Sequence, residues 1–158
     1  LLSEDKPDLS NAVLQFGISE ARSGFETRDY SPLLERVQDG SVWHFKLTAN
    51  PTVSSSEKCK TGERGNVKAH ISDQYQTKWL LDRAGKHGFA LDENELCVTG
   101  VKWYIFRKGA ERNRVSILSV TYEGTLRVTD KKAFCDTLIN GIGREKAYGL
   151  GMLTVVKG

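Results

Sequence analysis

Three groups of residues in this chain have binding chemistry to offer. The densest is Gly141-Ile142-Gly143-Arg144-Glu145-Lys146-Ala147-Tyr148-Gly149-Leu150-Gly151. Gly141, Gly143, Gly149 and Gly151 free the backbone to take φ > 0 and to approach another chain closely. Arg144 and Lys146 between them favour an anion. The second group is Arg107, Lys108, Arg112 and Arg114, which with Lys102 face only Glu111 within residues 101–114. The third is Lys58, Lys60, Arg64 and Lys68, set in a polar stretch over 54–68 against Glu57 and Glu63. Guanidinium and ammonium groups of this density suit phosphate oxygens. Each group also has a plainer reading. A helix C-cap followed by a bulge would use the same glycines. Charges at a hairpin tip prevent edge pairing, and a polar loop can simply be solvated.

Other chemistries find less support. The glycine loop lacks the Gly-Lys-Ser/Thr of a P-loop. It also runs from a helical segment into a strand, the reverse of the order in a dinucleotide fingerprint. His44, His70 and His87 have no recognisable acid/base context in the sequence. No carboxylate pair, nucleophile elbow or metal-ligand spacing stands out. Cys59, Cys97 and Cys135 include no C-x-x-C pair, which argues against a zinc site. An odd number of well-separated cysteines suits a reducing cytoplasm better than a disulfide framework. Cys97 and Cys135 sit among apolar neighbours and read as small buried hydrophobes.

The elements that would position these residues follow from periodicity. Residues 11–17 read as a short strand and 19–29 as a polar loop. Over 41–49, Trp43, Phe45, Leu47 and Ala49 alternate with polar partners, the mark of a half-buried strand, and Asn50-Pro51 stops it. Asp73 and Gln76 have capping-box spacing. The helix they open should place Tyr75, Trp79, Leu80 and Ala84 on one face and end near Gly85 or Gly88. Residues 98–106 and 115–128 are rich in β-branched and aromatic side chains and read as strands. Residues 107–114 would form the hairpin tip between them, and Glu123-Gly124 marks a bulge in the second strand. Thr129 or Asp130 caps a second helix with Ala133, Phe134, Leu138 and Ile139 inward. Residues 152–156 form the last strand. The order from residue 41 is βαββαβ, a ferredoxin-like antiparallel sheet with two helices on one face.

The chain has 158 residues, 39% hydrophobic and 27% charged, a globular composition. No apolar run is long enough to span a membrane, so no membrane partner is expected. The net charge is +3. Residues 1–30 carry six acids and three bases, a net of −3, which leaves +6 for the rest. That asymmetry favours an anionic partner for the later part of the chain.

Phe45-Lys46-Leu47-Thr48-Ala49-Asn50-Pro51, the helical segment over 75–88, Tyr122-Glu123-Gly124-Thr125-Leu126 and the loop from Gly141 to Gly151 share an order and spacing. Together they resemble the CasE family of CRISPR-associated endoribonucleases, the Cascade subunit that cuts precursor CRISPR RNA. The resemblance implies two tandem ferredoxin-like domains. Residues 1–40 would be the end of the first plus a linker, and 41–158 the second. It implies that the second domain grips the RNA repeat stem-loop with its hairpin and glycine loop, with other Cascade subunits as further partners. It also implies cutting without metal or cofactor, by a 2′-hydroxyl nucleophile and a histidine general acid/base on the first helix of the first domain. No catalytic residue is therefore expected within this stretch. A-form RNA has a major groove too deep and narrow for ordinary side-chain reading, yet a thin basic ribbon can reach phosphates and guanine edges near a stem end. The alternative is a non-catalytic ferredoxin-like module that binds RNA or protein. An RRM-type reader is disfavoured, because 115–122 lacks the aromatic run that such a strand carries.

Overall fold

The structure, a computed structural model, describes residues 2–16, 25–55, 66–109 and 112–158. It divides into two compact units, Leu1–Arg36 and Val37–Gly158. In the first unit α1 (Ser10–Phe16) replaces the strand expected over 11–17, and α2 (Ser31–Arg36) forms where a linker was expected. The reason is local. Asp8 Oδ1 accepts both the Ser10 N–H and the Ser10 hydroxyl, at 2.9 and 2.6 Å, and Asp29 Oδ1 accepts the Ser31 N–H at 2.9 Å. Each carboxylate thus satisfies an amide that a helix start leaves open. Seven residues are too few for periodicity to separate helix from strand.

The second unit is a five-stranded antiparallel sheet with a separate two-stranded hairpin. Val37 is fully buried in it, and the Gly40 N–H donates to Val128 O at 2.8 Å, so it begins before the Asp39-Gly40 turn. Strand β1 (Val42–Ala49) lies centrally, with β6 (Asn113–Val128) on one side and β7 (Leu153–Lys157) on the other. The far side of β6 is covered first by β4 (Phe89–Leu91) and then by β5 (Cys97–Lys108). Helix α3 (Asp73–Ala84) precedes β4, and α4 (Lys131–Asn140) connects β6 to β7. This is the ferredoxin-like order, with β4 as an addition to it. The polar stretch read as one loop over 54–68 begins and ends in strands, β2 (Thr52–Ser55) and β3 (Asn66–Ala69), which pair antiparallel.

Alternation builds the core. Trp43, Phe45, Leu47 and Ala49 of β1 are buried, and opposite them lie Leu126, Tyr122 and Val120 of β6. Helix α3 meets this face through Trp79, which stacks on Tyr122 with ring centroids 6.2 Å apart. The Tyr122 hydroxyl donates to Gln76 O at 3.1 Å, and its burial pushes the phenol pKa well above the usual value. Helix α4 contributes Phe134, edge-on to Phe89 at 5.9 Å. Asp130 caps α4 by accepting the Ala133 N–H at 2.9 Å, as expected.

Several expectations are corrected. Gln76, not Tyr75, lies on the buried face of α3, and its Nε2 donates to His70 O and Ile71 O at 3.0 Å each. Those are carbonyls ahead of the helix, so this is not a capping box, and Tyr75 is exposed. Thr137, not Ile139, completes the buried face of α4. Cys97 is exposed at the outset of edge strand β5, and Cys135 is half-buried. The expected bulge lies in β5, between Val98 and Gly100, rather than at Glu123-Gly124. Gly124 serves a different need: a Cβ there would stand 2.3 Å from Glu95 O, where the chain crosses the sheet.

The turn after α3 is tied to α4 through one side-chain pair. His87 Nδ1 lies 2.9 Å from Thr137 Oγ1. Burial, then the charges of Lys86, Arg83 and Lys146, hold the His87 pKa below its ordinary value. The folded protein therefore keeps this ring neutral to lower pH than the unfolded chain does. As pH falls through the unfolded value of about 6.5, the unfolded chain takes up the proton first, and stability is lost toward the lowered folded value. Between about pH 7.5 and about pH 5.5 the protein's Tm should fall further than that of His87→Gln, which keeps a partner for Thr137 but does not titrate. Thermal unfolding by circular dichroism across that range checks it.

Candidate nucleic-acid interface

The last sheet pair of β1 with β6 is Ala49 opposite Val120. Strands β5 and β6 continue beyond it, from Lys102 opposite Ser119 to Lys108 opposite Asn113, as a two-stranded ribbon. Arg107, Lys108 and Arg114 lie in the ends of these strands, so the turn itself is shorter than the 107–114 tip expected. Arg112 sits in the turn with φ 53°, its N–H donating to Gly109 O at 3.0 Å. Side chains alternate between the two faces of a strand. One face of β5 therefore carries Lys102, Tyr104, Phe106 and Lys108, and the other carries Val101, Trp103, Ile105 and Arg107.

Arg107 and Arg114 are paired directly across the ribbon, both exposed. Like charges in that position repel. Among the described residues no carboxylate forms an ion pair with Lys102, Arg107, Lys108, Arg112, Arg114 or Lys146. Elsewhere the fold does neutralise its cations: Lys46 Nζ is 2.7 Å from Glu123 Oε1, and Lys78 Nζ is 2.8 Å from Asp82 Oδ1. The ribbon end is thus a concentrated positive surface that an anion would relieve.

The glycine loop reaches this ribbon. Its Tyr148 ring packs on Phe106 with centroids 5.3 Å apart, and Lys108 Nζ donates to Tyr148 Oη at 3.2 Å. The Lys108 ammonium also stands 5.6 Å from the Tyr148 ring centroid, and Lys102 stands 4.7 Å from that of Tyr104. The result is a continuous stripe of cations over aromatic rings. Alternation over 101–108 was the available signal for it, masked by the apolar residues of the opposite face.

Much of the glycine content answers to the loop's own closure. The Ile142 N–H donates to Gly151 O, and the Gly151 N–H to Thr48 O, at 2.7 Å each. A Cβ on Gly141 would lie 2.4 Å from Gly151 O, and one on Gly151 would lie 2.5 Å from Ile142 O. Both residues have positive φ. Gly143, φ +87°, would place a Cβ 3.1 Å from the Trp79 ring, whereas a Cβ on Gly149 would meet open space. Ile142 and Leu150 are buried beneath the loop, and Arg144 and Lys146 are exposed on it.

Lys58, Lys60 and Arg64 lie outside the described residues, and Lys68 lies in β3, opposite Val53. The histidines are apart from one another in role. His44 Nδ1 is 3.3 Å from Thr125 Oγ1 in a shallow groove on the open sheet face, His70 stacks on Tyr75, and His87 holds Thr137.

The closure makes a graded expectation. Gly149→Ala should cost about 1–2 kcal/mol, the strain of a left-handed residue alone. Gly141→Ala and Gly151→Ala should each cost more, because a carbonyl must also move. Urea unfolding of the three variants checks the order.

Comparison with known proteins places these features. The sequence profile of the family described as CRISPR associated protein matches residues 1–157. The CRISPR-associated endoribonuclease Cse3 of Thermus thermophilus is 30% identical over 158 residues, covering 95% of this chain and 68% of that protein. The CRISPR system Cascade subunit CasE of Escherichia coli is 26% identical over 126 residues, covering 76% of this chain and 60% of that one. Among solved structures, CRISPR endoribonuclease Cse3 bound to 19 nt RNA superimposes with a TM-score of 0.67 at 28% identity, over 77% of this chain and 57% of the other. The chain thus spans between about half and two thirds of the relatives it matches.

Proposed function

The chain belongs to the CRISPR associated protein family, and on that premise we propose that it grips the stem-loop of a CRISPR RNA repeat. The β5–β6 ribbon and the glycine loop form the grip. The observation that carries this reading is the set of cations at the ribbon end, the Arg107–Arg114 pair held across one face and Lys108 against Tyr148 on the other. Two cations fixed by a sheet ladder meet neighbouring phosphates with little ordering cost. The likeness to a Cse3 structure described as bound to RNA supports the same use of the fold. The protein is, in this reading, an endoribonuclease that processes precursor CRISPR RNA in the cytoplasm without metal, in the company of other Cascade subunits. Arg144 and Lys146 belong to the grip, as do Arg112 at the turn and Lys58, Lys60, Arg64 and Lys68 of the polar stretch before α3. His44, His70 and His87 take no part in bond breaking. Residues 1–36 close a first ferredoxin-like domain, and the second begins at Val37 rather than after residue 40.

Filter binding of a labelled repeat hairpin at about 50 and about 200 mM salt tests the grip. Arg107→Thr and Arg114→Thr should each weaken binding and reduce the salt slope by about one. Each should leave Tm unchanged or slightly raised, because each removes a cross-strand repulsion worth up to about 1 kcal/mol. Lower stability with RNA affinity unchanged would make the arginines structural and overturn the reading.

A further inference from the structure

The glycine loop has a second side. Gly143 and Arg144, at its start, close a cleft of about 520 Å³ whose other walls are α3 and Thr52 and Val53 of β2. Among the described residues that line it, Lys78, Arg83 and Arg144 are basic and Asp82, paired with Lys78, is acidic. His70 and Tyr75 stand in it as a stacked pair, with centroids 5.6 Å apart and planes 20° from parallel. The Tyr75 ring is nevertheless 60% exposed. The cleft wall is Trp79, itself 3% exposed, with the Arg83 guanidinium 4.5 Å over its ring. Its indole N–H is buried and finds no acceptor among the described residues. The Cζ2 edge of the same ring packs against Gly143.

An accessible aromatic face beside several cations is the chemistry that receives a base and its phosphate. The volume is that of a small-ligand site. We propose that this cleft seats one unpaired nucleotide of the bound RNA, its base on Tyr75 and its phosphate toward Arg83 and Arg144. The proposal rests on the RNA reading above. It adds to the stem grip a separate place for a strand that leaves the stem, and the one loop joins the two: Arg144 on the cleft side, Tyr148 on the ribbon side.

The test compares a repeat stem-loop with and without a short single-stranded extension at either end. The extension should raise affinity at least about five-fold, the equivalent of one stacked base at about 1 kcal/mol. Tyr75→Ala should abolish that gain while leaving the affinity of the bare stem-loop within about two-fold, and Tyr75→Phe, which keeps the ring, should restore it. A gain that survives Tyr75→Ala, or no gain at all with the bare stem-loop still binding, overturns the cleft and leaves the grip intact. A stem-loop that does not bind overturns both. Free nucleoside monophosphate, followed by isothermal titration calorimetry, should bind far more weakly than the extended RNA. Equal affinity would make the cleft a mononucleotide site and overturn its role as an RNA subsite.

Discussion

What the glycine loop presents outward depends on a backbone crossing at Gly151. There the end of β1, the end of α4 and the start of β7 meet through two hydrogen bonds, Ile142 to Gly151 and Gly151 to Thr48. The segments are so close that neither Gly141 nor Gly151 has room for a Cβ. A loop with its ends fixed in this way loses little entropy when its middle is used for binding. Buried Ile142 and Leu150 hold it down from below. Arg144 and Tyr148 are therefore presented by a rigid frame, although they lie in a segment with almost no regular structure.

The distribution of charge follows a division of labour. On the open face of the sheet Lys46 is neutralised by Glu123, whose carboxyl the Lys46 hydrogen bond holds below its ordinary pKa. On the ribbon, cations are placed opposite and beside one another, and none of them is ion-paired to a carboxylate among the described residues. Surface ion pairs stabilise little, so omitting them there costs the fold little, while the potential they would have cancelled remains available to a partner. Aromatic rings beneath Lys102 and Lys108 hold those ammonium groups without discharging them.

The parts of this architecture legible in the sequence were those with strong periodicity. β1, the long hairpin and α4 with its Asp130 cap stood where alternation and capping chemistry put them. The fold class followed from their order. The basic residues of the hairpin were legible as a cluster, but their pairing was not, since cross-strand register needs the turn length. The face of α3 was misread because Gln76 is buried to bind His70 and Ile71 carbonyls, a demand that hydrophobicity cannot register. Helix α1 was hidden by its brevity, and β4, three residues long, carries no pattern at all. The glycines were visible, but whether they faced a ligand or their own chain was a tertiary question. At Gly141 and Gly151 they face the chain.

The irregularity in β5 between Val98 and Gly100 bears on the ribbon from a distance. Val98 is opposite Tyr122 and Gly100 opposite Thr121, so Thr99 is supernumerary in the ladder. Side chains alternate with a period of two, and an extra residue left in the ladder would turn over every one after it. The bulge absorbs Thr99, so the pairs from Val101 opposite Val120 to Lys108 opposite Asn113 keep their register with β6. Lys102, Tyr104, Phe106 and Lys108 therefore stay on one face whether or not Thr99 is present. The strand holds one spare residue ahead of its binding surface: a one-codon deletion at Thr99 would be taken up by loss of the bulge and not passed on to the stripe.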